Sequence, residues 1–193
     1  EMAYYTNEMN MDLIEKFLRF LVGNVLEKNK AELAILERDT TILEKVVNPF
    51  PRMTYTEAVK ILKGEKDVNG KNAIKVLEQE IEDRKAKIAE NDAEIAEKEL
   101  IIAKGGIKKG KMNFFKNKVE TLNQDNKAHE EVLVNLPQWM ESAKNFKEGE
   151  DFGGSDETVL TKLFDAPVMV YNWPTPIKAF YMKEVEGDAN FVK

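Results

Sequence analysis

The sequence predicts a helix-dominated α+β fold in which a long antiparallel hairpin of two α-helices interrupts a smaller body. Three observations lead to this prediction: an isoleucine at every seventh position over residues 74–102, a second apolar series over 115–140, and two short apolar runs around a proline-rich turn near residue 174. Heptad spacing is typical of helices that pack along a seam. Short apolar runs bounded by proline are typical of strands.

The first sixty residues predict helices. One apolar face recurs at spacings of three and four from Ile14 to Leu26, and a second amphipathic stretch covers residues 30–47. The run Asn48-Pro-Phe-Pro then stops helix formation. Thr54 and Glu57 have the spacing of a capping box, so a short helix is expected to continue to about Leu62.

The middle of the chain predicts the hairpin, with arms at about residues 72–104 and 113–146. The first seam combines the repeated isoleucines with Leu77, Arg84, Asn91 and Lys98, and the second comprises Phe115, Val119, Leu122, Asn126, His129, Leu133, Leu136 and Met140. The glycine-rich run "KGGIKKGKMN" predicts the turn between them. His129 is interpreted as a polar seam residue, and Pro137 predicts a kink or restart of the second arm.

The remaining segments predict a body that the hairpin interrupts. Residues 1–66 and 147–193 are assigned to it, and residues 67–146 to the insertion. After a glycine-rich loop and a helix from about residue 156, strands are expected at about 167–171 and 177–183. In the second strand Lys178, Phe180 and Met182 would share one face of an antiparallel sheet.

Composition excludes several classes of site. The 193 residues contain no cysteine and one histidine, which excludes disulfides and the usual zinc sites and leaves no expected metal site. The net charge of −6 gives no overall attraction to DNA, and no apolar run is long enough for a membrane span. The cytoplasm is the expected location, and both ends of the sequence look cut from a longer protein.

Four stretches, in order, resemble the catalytic domain of class II asparaginyl-tRNA synthetases: "EMAYY" with its following helix, "PFPRMTYTEAVKIL", "GEDFGGSDETVL" and "APVMVYNWPTPIKAFYMK". The last is the most specific, since the related aspartyl enzymes have an Arg-Pro-Phe-Tyr-Thr-like strand where this chain reads Lys-Ala-Phe-Tyr-Met. The resemblance implies a partial class II antiparallel-sheet domain, with the hairpin as a lineage-specific insertion.

The resemblance also implies a reaction and its partners. The parent enzyme would be a homodimer that uses ATP and magnesium to activate asparagine and transfers it to tRNA-Asn. The family's catalytic arginines would lie outside this sequence, so no catalytic residue and no bound cofactor are expected here, and the fragment is expected to be inactive alone. Glu1 and Lys178 are the candidate substrate-binding residues. The alternative for Lys178 is a structural pairing with a neighbouring carboxylate in the sheet, and the alternative for Glu1 is a structural carboxylate at the end of a strand.

The predicted hairpin turn concentrates positive charge. From Leu100 to Val119 there are lysines and no acid, with aromatic residues between them. This pattern is typical of RNA contact through phosphates and stacked bases. The candidate tRNA-contact residues are Lys104, Lys108, Lys109, Lys111, Phe114, Lys116 and Lys118. A soluble hairpin end and a protein-binding end are the alternatives.

Two other functions stay open from the sequence. An aspartyl-type synthetase or a synthetase-like paralogue would share the fold and the adenylate chemistry. A coiled-coil structural or interaction module would explain the hairpin, although it would not explain four family-like stretches in order.

Overall fold

The computed structural model describes residues 3–193. Its helices are α1 (Asn7–Lys28), α2 (Lys30–Ile35), α3 (Thr41–Glu44), α4 (Tyr55–Leu62), α5 (Ala73–Lys104), α6 (Lys109–Lys144) and α7 (Gly154–Thr161). Its strands are β1 (Arg52–Thr54), β2 (Met169–Tyr171), β3 (Trp173–Pro174), β4 (Glu184–Val185) and β5 (Asp188–Val192). Helices dominate, as the sequence predicts for an α+β chain. Within residues 3–193, no helix combines the length and apolar character that crossing a membrane requires.

The chain divides into two compact units. The base unit comprises Glu1–Ala73 with Ala143–Lys193, and the hairpin unit comprises Ile74–Ser142. The base unit is therefore assembled from two segments that are remote in sequence, whereas the hairpin unit is continuous.

Helix α4 is the centre of the base unit because its sequence suits both a sharp start and a buried face. Thr54 caps it, and its hydroxyl accepts a hydrogen bond from the Glu57 backbone N–H at 3.2 Å. The predicted short helix ending at Leu62 is thereby confirmed. Five of its eight residues are buried, namely Tyr55, Ala58, Val59, Ile61 and Leu62. Helix α7 packs beside α4 and contributes the buried side chains of Val159 and Leu160.

The first sixty residues differ in part from the prediction. Helix α1 forms, but Met11 is its buried residue, and Ile14, Phe17 and Leu21 of the predicted inner face are exposed. The stretch over residues 30–47 is not one continuous helix, because the chain turns at Glu37, whose φ of 48° lies in the left-handed region. It forms α2, α3 and a short 3-10 turn.

Two small sheets belong to the base unit. Strands β1 and β2 pair in parallel, with Met53 opposite Val170. Strands β3, β5 and β4 form an antiparallel sheet in that spatial order, with Trp173 opposite Val192. The chain passes from one sheet to the other at Asn172, whose φ is 56°. The expectation of an antiparallel sheet therefore holds for the second sheet and is wrong for the first.

The predicted strand at residues 177–183 is wrong. Thr175–Ile177 form a 3-10 turn, and the Met182 N–H donates to the Ala179 carbonyl at 3.0 Å, so backbone groups are satisfied locally instead of in a sheet. Prolines at 174 and 176 supply no N–H for a ladder. Phe180 is 98% exposed. The shared sheet face proposed for Lys178, Phe180 and Met182 does not exist.

The hairpin unit contains nearly all of α5 and α6. Across them Asn91 donates to Asn126, and the Arg84 guanidinium lies 3.1 Å from His129 Nδ1, so residue numbers rise along one helix as they fall along the other. The residues assigned to the two seams are all buried or half-buried. Helix α6 starts at Lys109, four residues before the expected 113, and continues through Pro137, so the predicted restart is wrong.

Candidate functional site

In the base unit, Tyr55 joins α4 to the glycine-rich loop before α7. The Tyr55 side chain is fully buried. Its hydroxyl donates to the Glu150 carbonyl at 2.7 Å and accepts from the Gly149 N–H at 2.9 Å. Burial raises the pKa of this hydroxyl above 10.0, although the hydrogen bond from Gly149 partly opposes the shift. A neutral tyrosine therefore holds the loop in place.

An aromatic cluster surrounds this tyrosine. Phe152 stacks on Tyr55 with ring centroids 5.2 Å apart, and Trp173 lies 5.3 Å from both rings. Phe146 completes the cluster at 5.1 Å from Phe152. The cluster joins α4, the loop at 147–153 and β3, which are distant in sequence. These elements frame a cleft of about 410 Å³ lined by Tyr55, Glu148, Gly149, Pro174, Thr175, Pro176, Ala189, Asn190 and Phe191.

Lys178 lies at the edge of this cluster. Its ammonium contacts both carboxylate oxygens of Asp151, at 3.0 and 3.1 Å, and lies 3.7 Å from the centroid of the Trp173 ring. The carboxylate and the ring together fix the position of the ammonium. The geometry matches the pairing with a carboxylate that the sequence offered as the structural alternative. Asp151, however, comes from the loop and not from a neighbouring strand.

Arg52 forms a second charged cluster in the base unit. Its guanidinium contacts Asp12 at 2.6 Å and Glu15 at 3.0 Å, which fastens α1 to β1. The hydrogen bonds to Asp12 and then Glu15 raise the pKa of Arg52. These contacts use the guanidinium for structure. Next to it lies a cleft of about 590 Å³ whose lining includes Tyr171 and Asn172.

The structure separates the predicted site residues into three sets. Glu1 lies outside the described residues. Lys178 belongs to the base unit, in the cluster with Asp151. The seven tRNA-contact candidates belong to the hairpin unit. The sequence analysis did not single out three of the residues found here, namely Tyr55, Arg52 and Asp151. Each lies in a stretch that resembles the family, and that resemblance was the signal that could have identified them.

The tip of the hairpin, residues 104–118, holds the seven candidates. Lys104 is the last residue of α5, Lys108 lies in the connecting loop, and Lys109, Lys111, Lys116 and Lys118 are on α6. The reversal at Gly105 and Gly106 uses φ values of 64° and 77°, which glycine adopts without strain. Because α6 begins at Lys109, most of these lysines are held on a helix and not in a flexible turn.

Metal ligands do not converge in the part of the chain described. Residues 3–193 contain no group of three histidine, cysteine, aspartate or glutamate side chains arranged to hold a metal ion. Asp151 is paired with Lys178, and Asp12 and Glu15 are paired with Arg52.

The mixed fold and the family-like stretches define a class of protein. The family of class II tRNA synthetases (D, K and N) matches residues 1–193, and the chain belongs to this family. The chain is 33% identical to the asparagine–tRNA ligase of Sorangium cellulosum over 97% of its length and 28% of the relative's. It is 31% identical to that of Herpetosiphon aurantiacus over 100% of its length and 29% of the relative's.

A solved structure has a similar fold. The crystal structure of asparaginyl-tRNA synthetase from Pyrococcus horikoshii matches with a TM-score of 0.54 and 24% identity, over 98% of this chain and 27% of that one. The chain thus spans less than a third of the length of the proteins it resembles.

Proposed function

We propose that this chain is part of the catalytic domain of an asparagine–tRNA ligase, which activates asparagine with ATP and transfers it to tRNA-Asn. The observation that carries the proposal is the extent of the similarity. Relatives named asparagine–tRNA ligase match 95–100% of this chain, so the matched span includes the hairpin as well as the base unit. The proposed function places the parent protein in the cytoplasm as a homodimer.

Within that enzyme, the base unit would support the amino-acid pocket. Lys178 stays a candidate substrate-binding residue, but its ammonium already contacts Asp151 and the Trp173 ring. We propose that Lys178 positions the loop at residues 147–153 instead of binding the substrate. Glu1 stays a candidate for the amino-acid pocket on the resemblance alone.

The chemistry itself is assigned to the parent enzyme. ATP and magnesium would supply the activated phosphate and the charge neutralisation of adenylate formation. Three of the four arginines of this chain are paired with carboxylates: Arg19 with Glu15, Arg52 with Asp12 and Glu15, and Arg84 with Glu80. We therefore expect no adenylate formation by the 193-residue chain alone, and no cofactor bound to it.

The hairpin has its own place in the proposal. We propose that α5 and α6 form an antiparallel coiled coil, inserted as residues 67–146 between two parts of the catalytic domain, 1–66 and 147–193. Support comes from the contacts of Asn91 with Asn126 and of Arg84 with His129, which lie three to seven residues apart along each helix. Its tip would contact tRNA-Asn through the seven candidate residues.

The experiment that tests this function is amino-acid-dependent exchange of pyrophosphate into ATP by the complete parent enzyme. Asparagine should stimulate the exchange, and aspartate and lysine should not. Stimulation by aspartate would favour the aspartyl-type alternative, and no stimulation by any of the three would contradict the ligase. The 193-residue chain alone is the control, since measurable exchange by it would contradict its expected inactivity.

A further inference from the structure

Two adjacent phenylalanines at the tip have different surroundings. Phe115 is 9% exposed and lies in the seam, where the ammonium groups of Lys98 and Lys111 are 5.7 and 5.5 Å from its ring centroid. Phe114 is 65% exposed, and its ring lies 5.9 Å from that of Phe115 at an angle of 54°. Phe115 therefore accounts for packing within the hairpin, and the exposed ring of Phe114 has no comparable structural role.

The helix leaves the Phe114 ring open on one side. Residues three and four positions apart on a helix are neighbours, so Gly110 and Lys111 lie one turn before Phe114 on α6. Gly110 has no side chain, and an added Cβ there would meet no atom within 4 Å. In the other direction Lys118 is the neighbour one turn on. Two lysines, Lys111 and Lys118, are therefore helix neighbours of the exposed Phe114.

The lysines of the tip differ from those of the arm in their surroundings. None of the six lysines between residues 104 and 118 has a carboxylate within ion-pair distance in the described part of the chain. Lysines on the arm differ, since Lys85 pairs with Glu82 and Lys87 with Glu90. The tip is therefore a local region of positive charge on a chain whose net charge is −6.

We infer that the tip binds an unpaired stretch of RNA, with a base stacked on Phe114 and phosphates contacted by the surrounding lysines. An exposed ring among cations suits this ligand, because base stacking and phosphate contact together hold single strands. Double-stranded RNA does not suit it, since the faces of its bases are covered by their neighbours. The inference rests on the proposed function, which makes the RNA a loop or an end of a tRNA.

The length of the arm makes this contact remote from the start of the hairpin. Helix α5 has 32 residues, so the tip lies roughly 47 Å along the helix from Ala73 at a rise of 1.5 Å per residue. A tRNA bound at the tip would be held far from where the hairpin begins. Its effect should therefore be on tRNA affinity and not on asparagine activation.

The test is fluorescence anisotropy with the full 193-residue chain at about 50 mM salt. The probes are a twelve-nucleotide oligouridylate and a twelve-base-pair RNA duplex. Phe114→Ala should weaken oligouridylate binding about 10-fold, because stacking contributes about that factor per base. Phe114→Trp should keep it.

A matched pair of lysine variants tests the charges. Lys108→Gln with Lys109→Gln should weaken binding. It should also reduce the steepness of log affinity against log salt by about 1.4, because each lost phosphate contact on a single strand contributes about 0.7. Lys85→Gln with Lys87→Gln removes the same charge from the arm and should change neither the affinity nor the slope.

Three results would overturn the inference: unchanged binding by Phe114→Ala, duplex bound as tightly as the single strand, or no RNA bound by the wild-type chain. The last would favour an acidic protein as the partner of the tip. The assay contains no asparagine or ATP, so its outcome is independent of the exchange assay. If the parent enzyme activates asparagine but Phe114→Ala binds oligouridylate normally, the inference about the tip is refuted and the proposed function is not.

Discussion

The two units of this chain obtain a buried interior in different ways. The base unit draws Tyr55, Leu62, Leu163 and Val192 together from segments more than a hundred residues apart, and each of these is at most 2% exposed. The hairpin unit buries side chains that recur at heptad spacing, such as Leu77, and includes polar ones in the same seam. The interior of the base unit is therefore determined by long-range contacts, and that of the hairpin unit by a local sequence repeat.

Polar groups show the same contrast. In the base unit the buried hydroxyl of Tyr55 bonds to backbone groups of one loop. In the hairpin unit Asn91 bonds to Asn126, which in turn donates to Asp92. A paired polar layer in a helical seam is satisfied in one alignment of the two helices, so it specifies register more than it adds stability. The base unit needs no such layer, because its side chains come from unlike elements.

The largest expected effect comes from removing a buried leucine from either unit. Leu62→Ala in the base unit and Leu77→Ala in the hairpin unit each truncate a side chain that is 0% exposed. Each should lower the free energy of unfolding by about 3 kcal/mol, through lost burial and the cavity left behind. Differential scanning calorimetry of the 193-residue chain measures the loss.

Hydrogen exchange followed by mass spectrometry shows which helices lose stability in each variant. Leu62→Ala should speed exchange in α4 and α7, and Leu77→Ala in α5 and α6. Leu100→Ala is a suitable control, because Leu100 is 55% exposed and its truncation should cost little. Equal loss of protection in both units from either variant would show that the units unfold together.

The second effect concerns the hydroxyl of Tyr55. Tyr55→Phe keeps the ring contacts with Phe152 and Trp173 but leaves the Gly149 N–H and the Glu150 carbonyl without their partner. The cost should be about 2 kcal/mol, from two partly buried backbone groups. Urea unfolding of both proteins at neutral pH gives the difference.

The same hydroxyl predicts a pH dependence. Because burial raises its pKa in the folded chain above the value near 10 of an unfolded tyrosine, its stabilising contribution is fully present below pH 10. That contribution is lost as pH rises through the folded pKa. The stability difference between wild type and Tyr55→Phe should therefore shrink above pH 10. A difference that stayed constant to pH 11.5 would contradict this role for the hydroxyl.

The long helices α5 and α6 were more predictable from sequence than the elements of the base unit, for a physical reason. The heptad spacing recurs along both helices, so one wrongly interpreted position changes the prediction little. The residues assigned to the seams are buried or half-buried. Pro137 does not restart the helix, because a proline in a helix removes one N–H and the rest of α6 continues past it. The predicted strand at 177–183 had no repeat to support it and depended on pairing partners that a local pattern does not reveal.

The candidate site was predictable only in part. The pairing of Lys178 with a carboxylate was one of two readings of the sequence, but the sequence could not identify Asp151, which lies 27 residues away in a loop. The lysines of the tip follow directly from composition. Their placement on a helix, and the separation of exposed Phe114 from buried Phe115, required the geometry of α6.

The third effect distinguishes stability from register in the hairpin unit. Asn126→Ala removes the acceptor for buried Asn91 and should cost about 1.5 kcal/mol. Replacing both asparagines by leucine should instead raise stability, because no buried polar group is left unpaired. The double variant should also lose uniqueness of alignment, seen as additional distances by spin labels at Lys85 and Lys127. A single sharp distance in the double variant would show that the apolar seam alone sets the register.

The smallest effect belongs to the ion pair at the edge of the aromatic cluster. The side chain of Asp151 is 55% exposed and that of Lys178 22%, so solvent screens much of their attraction. Lys178→Met should cost under about 1 kcal/mol, most of it from the lost contact with the Trp173 ring, which salt screens weakly. Asp151→Asn should cost less still, and its effect should vanish at 1 M salt. A double-mutant cycle by urea unfolding separates the two contributions, and a coupling above about 2 kcal/mol would mean that the pair is shielded from water more fully than its exposure indicates.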